Sequence, residues 1–269
     1  MAFYNKRKLP WSLIFFTLIL ILIVWFSASM QKTNGENEEP PAPDITETVP
    51  AELSDSNESP EPSIDEDIYS GMLVSEKEAV GDDFFSDAAF MGNSLVEGFK
   101  LFSGLSSCDY YSATSLTVMG ASSDKCVVLD NGTNGTPVEG LIQKPYGKIY
   151  ILLGINEIGF DTDTFAELYA DILDMVIAGQ ADCDIYIMGL TPVSYNKSIS
   201  SEIFSMERIN LYNEKLRSLA EEKQCYYLDL ASALSGEDGY LPSNETADGV
   251  HFSPIVYEKW LGYLRTHYV

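Results

Sequence analysis

Three short sequences in this chain carry side chains that could cooperate in acyl transfer: MGNSL at residues 91–95, GINE at 154–157 and DGVH at 248–251. Ser94 would supply a hydroxyl nucleophile, and the Asn156 amide could stabilise the oxyanion that its attack creates. Asp248 stands three residues before His251, a spacing that allows a carboxylate to orient an imidazole base. Together these side chains could hydrolyse an ester through an acyl-serine intermediate.

The histidine content of the chain limits the choice of base for such a serine. A serine hydroxyl needs a base within hydrogen-bonding distance, and the sequence has two histidines, His251 and His267. His267 stands at the predicted end of a helix, where solvent would surround its ring. We therefore expect His251 to accept the Ser94 proton, while Asp248 fixes its tautomer and stabilises the imidazolium.

The three sequences resemble the blocks of the SGNH or GDSL hydrolase family, which are a GDSL-like strand–turn, a GxND sequence and a DxxH sequence near the C-terminus. The order agrees, Asn156 follows Ser94 by 62 residues, and the resemblance covers about residues 80–269. It implies a serine hydrolase with a triad of Ser94, Asp248 and His251. It also implies that Asn156 and the Ser94 N–H form an oxyanion hole, with no metal ion and no organic cofactor.

The resemblance is incomplete at three positions. Asn93 and Glu157 each replace an aspartate of the family pattern, and neither position carries the reaction in the family. The family's second block contributes a further oxyanion donor, the backbone N–H of a glycine. Ser115 is its expected equivalent by position, since a backbone N–H does not require glycine, and Gly120 is the alternative.

Strands and helices that alternate along the chain must position these groups. Short apolar runs predict strands at residues 88–91, 110–114, 148–153, 184–190 and 226–230. Apolar residues at helical spacing predict helices at residues 95–102, 165–177, 204–223 and 255–267. Ser253 is the expected N-cap of the last helix and Pro254 its first residue, whereas residues 131–136 have the composition of a turn-rich insertion.

This alternation predicts a parallel sheet with helices on both faces. The family resemblance makes the expected α/β fold a flavodoxin-like three-layer α/β/α sandwich. Ligands bind beyond the carboxyl ends of the strands in such sheets, and Ser94, Asn156 and residues 192–200 each follow a predicted strand. Because residues 248–251 directly precede the last helix, we expect all four segments to meet at one edge of the sheet.

The first quarter of the chain predicts a membrane anchor and a spacer. We expect residues 1–8 to be cytoplasmic and residues 9–30 to form a transmembrane signal anchor, because this apolar stretch has no charge and can cross a hydrocarbon core of about 30 Å. Residues 31–79 are acidic and rich in proline, which predicts a disordered linker. The alternative to the anchor is a signal peptide that is cleaved at residues 27–29.

The composition disfavours several classes of partner. The chain has a formal charge of −25, and residues 69–269 contain 29 acidic and 12 basic side chains, a net charge of −17. Without a basic patch, a nucleic-acid partner is not expected. Cys108, Cys126, Cys183 and Cys225 form no CxxC pair, which disfavours a zinc site. The last two cysteines could be neighbours or separate buried thiols, and we favour buried thiols.

The main hypothesis is an extracytoplasmic serine esterase, anchored in the cell membrane, that removes a short acyl group such as acetyl from a carbohydrate or cell-wall glycan. The substrate rests on the fold and the expected location rather than on particular residues. A lipase or thioesterase for longer acyl chains is the alternative, and it would need an apolar trough to which Phe99, Phe102 or Tyr195 could contribute. An acyltransferase with the same triad and a non-catalytic glycan-binding module with the same fold are further alternatives.

Overall fold

A parallel β-sheet forms the centre of the computed structural model, which describes residues 73–269. The strands in this part of the chain are β1 (Ala88–Gly92), β2 (Asp109–Ser112), β3 (Val127–Val128), β4 (Asn134–Gly135), β5 (Lys148–Leu152), β6 (Asp184–Met188) and β7 (Tyr226–Leu228). Five of them lie in the order β2-β1-β5-β6-β7, and every neighbouring pair is parallel. This is the strand order of flavodoxin-like folds. The strands β3 and β4 form a separate antiparallel pair.

Helices cover the sheet on both sides. Those of residues 73–269 are α1 (Ser94–Phe102), α2 (Val118–Ser123), α3 (Pro137–Ile142), α4 (Thr162–Gly179), α5 (Tyr195–Ser200), α6 (Met206–Lys223), α7 (Leu230–Leu234) and α8 (Pro254–Thr266). Alternate residues of a strand enter opposite faces, so that Met91 and Ile151 pack with α2, α3, α4 and α6, whereas Phe90 and Tyr150 pack with α1, α7 and α8. The predicted α/β fold with a central parallel sheet is confirmed.

A row of aromatic rings crosses the second face of the sheet. Phe90 on β1 lies between Tyr110 of β2 and Tyr150 of β5, with ring centroids 5.4 Å and 4.6 Å away. Tyr186 of β6 and Tyr226 of β7 continue the row at 4.7 Å and 5.3 Å. Each ring belongs to the residue that stands directly opposite in the strand pairing. The row therefore favours one register for all five strands, because a shift by one residue would turn a ring to the opposite face.

Several elements differ from the sequence prediction. The strand predicted at 226–230 ends at residue 228, because Asp229 caps the short helix α7. The insertion predicted at 131–136 contains strand β4 of the small hairpin and ends at Thr136, the N-cap of α3. Ser253 is the N-cap of α8 as predicted, although its hydroxyl has no hydrogen-bond partner in the described part of the chain. The helices α2, α3, α5 and α7 have five or six residues each, too few for a visible helical period.

The first described residues run along one edge of the sheet. Leu73 pairs with Tyr227 of β7 in a parallel bridge, and Lys77 N–H donates to Thr266 O at 2.7 Å. These contacts tie the start of the described segment to both the edge strand and the last helix. The folded part therefore includes residues 73–79, which the sequence analysis assigned to the linker.

The predicted cytoplasmic residues 1–8, the predicted anchor at 9–30 and most of the predicted linker lie outside the described residues. Of the helices between residues 73 and 269, none combines the length and the apolar character that crossing a bilayer requires. The anchor and the linker thus stay predictions from the sequence.

All four cysteines lie in the described segment and are free thiols. Cys225 is buried and Cys183 is half-buried, which agrees with the preference for thiols over a disulfide at these two positions. Burial raises the pKa of Cys225 to about 11 and that of Cys183 to about 12. Both groups therefore remain protonated at neutral pH, as expected of structural rather than reactive cysteines.

Gly98 and Gly262 are helical glycines with opposite surroundings. A Cβ on Gly98 in α1 would overlap the buried Tyr257 ring of α8, whereas a Cβ on Gly262 would meet no atom within 4 Å. Gly98→Ala should lower the free energy of unfolding by about 1–3 kcal/mol through overpacking. Gly262→Ala should raise it by about 0.5–1 kcal/mol, because alanine is the better helix former. Urea unfolding measures both, and effects of the same sign would contradict this packing of α1 on α8.

Candidate active site

Ser94 lies where β1 ends and the chain turns directly into α1. Asn93 is the N-cap of this helix, and its buried side chain accepts a hydrogen bond from Leu95 N–H at 2.9 Å. Ser94 is therefore the first helical residue, and its N–H has no acceptor among residues 73–269. A helix N-terminus stabilises negative charge, so this N–H is suited to an oxyanion. The replacement of the family's aspartate by Asn93 keeps an acceptor for the cap.

The three side chains predicted to form a triad make a continuous hydrogen-bonded series. Ser94 Oγ lies 3.0 Å from His251 Nε2, and His251 Nδ1 lies 2.7 Å from Asp248 Oδ2. Ser94 is half-buried, while the side chains of His251 and Asp248 are each 54% exposed. The fold thus brings together a hydroxyl, an imidazole and a carboxylate at a surface that substrate and water can reach.

Hydrogen-bond donors hold Asp248 in its ionised form. Its Oδ1 accepts from the N–H groups of Val250 and His251 at 2.9 Å and 2.8 Å. Burial raises the pKa of Asp248, but the His251 ring and these N–H groups outweigh burial and lower the pKa to about 2. Because an ionised carboxylate can only accept, His251 Nδ1 must carry a proton. Nε2 of the neutral ring is then free to accept the Ser94 proton.

Gly249 allows the turn that carries Asp248 and His251. Its φ is 86°, and a Cβ at this position would lie 2.7 Å from Ser194 Oγ and 2.6 Å from Lys197 Cβ. Ser194 N–H donates to Gly249 O at 2.9 Å, which joins the segment after β6 to the turn. The predicted meeting of residues 192–200 with residues 248–251 is therefore present.

Asn156 lies in a single 3₁₀ turn (Ile155–Glu157) that follows β5. The turn begins at Gly154, whose φ is 123°. A Cβ at this position would lie 2.9 Å from the Phe165 ring, so only glycine fits. Asn156 is exposed, and its Nδ2 donates to Leu116 O at 2.8 Å. Since an amide nitrogen carries two hydrogens, one remains for an oxyanion. Because β1 and β5 are neighbours, Asn156 and Ser94 leave the sheet side by side.

The structure distinguishes the two candidates for the remaining oxyanion donor. Gly120 N–H already donates to Thr117 Oγ1 at 3.0 Å, as part of the cap of α2. Ser115 has a φ of 63°, in the left-handed region that favours glycine, and its N–H has no acceptor within the described part of the chain. Strained backbone of this kind is typical of functional sites. Ser115 is therefore the better candidate.

Polar contacts that the sequence did not predict tie the loops of the site together. The buried side chain of Glu157 accepts a hydrogen bond from Val118 N–H at the start of α2, and Thr114 Oγ1 donates to Glu97 Oε2 of α1 at 2.5 Å. Burial raises the pKa of Glu157, and the Val118 N–H opposes this shift. The sequence alone suggests no function for Glu97, Thr114 or Glu157. Their partners are distant in sequence, and no local pattern could have revealed the contacts.

The part of the chain that matches a known family model contains the whole of this candidate site. Residues 90–259, more than half of the chain, match the model of the GDSL-like lipase/acylhydrolase family. The chain belongs to the GDSL-like lipase/acylhydrolase family. The matched segment begins in β1 and ends within α8, so it contains Ser94, Asn156, Asp248 and His251.

Two examples illustrate the solved structures that are similar in fold to this chain. One is a protein from Streptococcus pneumonia described as a platelet activating factor, with 21% identity over 66% of this chain and 81% of that chain and a TM-score of 0.53. The other is a GDSL-like lipase from Parabacteroides merdae, with 12% identity over 65% of this chain and 92% of that chain and a TM-score of 0.51. At these identities the likeness supports the fold alone. None of the curated proteins compared with the chain matches it.

As a member of the GDSL-like lipase/acylhydrolase family, the protein belongs to a class of ester hydrolases. The candidate site has a hydroxyl next to an imidazole, and Asn156 lies on the loop that follows the neighbouring strand. Within residues 73–269, no three His, Cys, Asp or Glu side chains are grouped to hold a metal ion.

Proposed function

We propose that this GDSL-like acylhydrolase is a serine esterase whose nucleophile is Ser94. The continuous contact from Ser94 through His251 to Asp248 carries the proposal. His251 Nε2 takes the hydroxyl proton while Ser94 Oγ bonds to the carbonyl carbon of the ester, giving a tetrahedral oxyanion. The N–H groups of Ser94 and Ser115 and the Asn156 amide would stabilise this oxyanion.

Loss of the alcohol and hydrolysis of the acyl-enzyme then return the enzyme to its starting state. The oxyanion collapses, the bond to the alcohol oxygen breaks, and His251 gives its proton to that oxygen. A water molecule, deprotonated by the same imidazole, then attacks the acyl carbonyl carbon. The bond to Ser94 Oγ breaks, His251 returns its proton to that oxygen, and the acid is released. Asp248 stabilises the imidazolium during both the formation and the hydrolysis of the acyl-enzyme, since its low pKa keeps it negatively charged.

The surroundings of the site favour a short acyl group, such as acetyl, over a long chain. Phe99 is wholly buried against Trp260, so it cannot line a trough. Phe102 lies at the opposite end of α1 from Ser94, about 12 Å away at 1.5 Å per residue. Tyr195 is half-exposed and packs against another tyrosine. The aromatic residues considered for a long acyl chain thus do not form a continuous apolar surface beside Ser94.

We further propose that the enzyme acts outside the cytoplasm on a carbohydrate or cell-wall glycan ester. The apolar stretch at residues 9–30 and the acidic, proline-rich linker support a domain held away from the membrane surface. The net charge of −17 in residues 69–269 supports a substrate other than a nucleic acid. A non-catalytic glycan-binding module is less well supported, because binding alone does not require the Ser94–His251 contact.

Ser94→Ala and His251→Ala should each lower kcat for 4-nitrophenyl acetate by about 10⁴-fold or more. The double variant should be little worse than either single variant, because the two side chains act as one unit. A matched control is Ser218→Ala, which removes an exposed serine of α6 and should leave the rate unchanged. If Ser94→Ala keeps the wild-type rate, the acyl-enzyme mechanism is wrong and the non-catalytic module becomes the better proposal.

Asn156→Ala should lower kcat by about 10²–10³-fold with little change in KM, because an oxyanion donor acts mainly in the transition state. The lost bond to Leu116 O should reduce the free energy of unfolding by only about 1 kcal/mol. Steady-state kinetics and urea unfolding of the same sample separate the two effects. Asn210→Ala, on the exposed side of α6, is the control. A folded Asn156→Ala protein with full kcat would make Asn156 a structural residue only.

The full chain should sediment with membranes at its full mass and resist extraction by alkaline carbonate. Protease added from outside should cut within residues 31–68 and release the esterase domain. A variant that lacks residues 9–30 should lose membrane association, which provides the control. A mature N-terminus near Met30, found on protein in the medium, would instead establish a cleaved signal peptide.

A further inference from the structure

A polar pocket adjoins the Asp248 side of the site. It has a volume of about 420 Å³, within the range of about 300–1,000 Å³ that is typical of small-molecule sites. The residues that line it include Ser194, Asn196, Lys197, Ser243, Thr246 and Asp248. Asp248 contacts His251, which contacts Ser94, so two hydrogen bonds connect this pocket to the proposed nucleophile.

Some of these polar groups shape the pocket, and others are available to a ligand. Ser194 Oγ and Thr246 Oγ1 accept backbone N–H groups at 3.3 Å and 2.9 Å and so hold the walls in place. The side chains of Asn196, Lys197 and Ser243 form no hydrogen bond with any group of the described residues. Residues that carry an amide, an ammonium and a hydroxyl therefore line the same pocket, and a ligand would not have to displace hydrogen bonds between these groups and the described residues.

The Lys197 ammonium is not neutralised by a carboxylate of the described residues. Seven of the twelve Lys and Arg side chains in residues 73–269 form ion pairs, and Lys197 is not one of them. Its ammonium lies 4.8 Å from the centre of the Phe204 ring, and the first carbons of its side chain pack closely against Gly249. The side chain thus begins beside the pocket wall at Gly249, and its ammonium lies against Phe204. A positioned ammonium donates hydrogen bonds to hydroxyl oxygens without the need for an anion.

The reaction chemistry decides which part of an ester lies on this side. The carbonyl oxygen must face the donors at Ser94, Ser115 and Asn156, whereas the alcohol oxygen must lie where His251 can protonate it. The pocket is lined by Asp248 and Gly249 and by none of the proposed oxyanion donors, so it lies on the histidine side of the site, from which the alcohol oxygen receives its proton. A hydroxylated group could hydrogen-bond with these side chains, whereas an alkyl chain could not.

We propose that this pocket is a subsite for the hydroxylated, sugar-like alcohol part of the ester, with Asn196, Lys197 and Ser243 as its hydrogen-bonding groups. The inference rests on the proposed esterase function and adds the side chains that select the alcohol.

A pair of acetate esters tests the subsite. Methyl 6-O-acetyl-glucopyranoside and cyclohexylmethyl acetate have the same acyl group and a similar ring, but only the first has ring hydroxyls. The wild-type full chain should show the higher kcat/KM for the sugar ester. Lys197→Met and Asn196→Ala should each reduce the ratio of the two kcat/KM values by about ten-fold or more, mainly through KM for the sugar ester. Lys125→Met, which removes an exposed lysine elsewhere, should keep the wild-type ratio.

The ratio of kcat/KM for the two acetate esters distinguishes loss of the subsite from partial unfolding of a variant, because partial unfolding would reduce both kcat/KM values equally. If the wild type shows no preference for the sugar ester, or if both variants keep the wild-type ratio, the subsite does not exist. If the wild type also fails to hydrolyse 4-nitrophenyl acetate, the proposed esterase function itself is wrong. Hydrolysis of 4-nitrophenyl acetate together with an unchanged ratio would leave the esterase proposal intact and overturn only the subsite.

Discussion

The register of the five-stranded parallel sheet is the constraint on which the rest of the structure depends. One aromatic residue from each strand packs against its neighbours across the sheet, and these contacts favour a single register. The residues are Tyr110, Phe90, Tyr150, Tyr186 and Tyr226. The strands therefore end at one level. The segments that follow β1, β5 and β6 leave the sheet as neighbours, although long stretches of chain separate them.

The loops at this edge are held by polar contacts rather than by regular secondary structure. Glu157 accepts the first N–H of α2, Asn156 donates to Leu116 O, and Thr114 donates to Glu97. Each contact joins two different loops, so the N–H groups proposed to stabilise an oxyanion are positioned before substrate binds. Such preorganised donors stabilise a transition state without further reorganisation. The φ of Ser115 is maintained by this frame, since an isolated serine rarely adopts that conformation.

The electrostatics of the site depend on one turn. Asp248 receives two backbone N–H groups and the His251 ring, which together keep it ionised and assign the proton to His251 Nδ1. The same turn forms a wall of the polar pocket through Gly249 and its contacts with the loop after β6. A single segment of chain therefore serves both the proposed proton transfer and the proposed selection of the alcohol.

The sequence by itself determined the fold class, the longer elements and four of the side chains at the site. Apolar runs and helical spacing are local patterns, and in β5, α4 and α6 they are strong enough to predict the strand or helix from the sequence. Ser94, Asn156, Asp248 and His251 could be identified because the family blocks place them in short, recognisable sequences. Short helices such as α2 and α7 were missed, since one or two turns carry too few residues to show a period.

Only the tertiary structure distinguishes Ser115 from Gly120 as a candidate donor, because the Gly120 N–H already has an acceptor and the Ser115 N–H has none among the described residues. It also showed that residues 73–79 belong to the fold, where Leu73 pairs with β7 and Lys77 with the end of α8, although their composition is typical of a linker. The contacts of Glu157 and the environment of Lys197 likewise involve residues far apart in the chain. Their physical basis is burial and hydrogen bonding across loops, which a linear pattern does not encode.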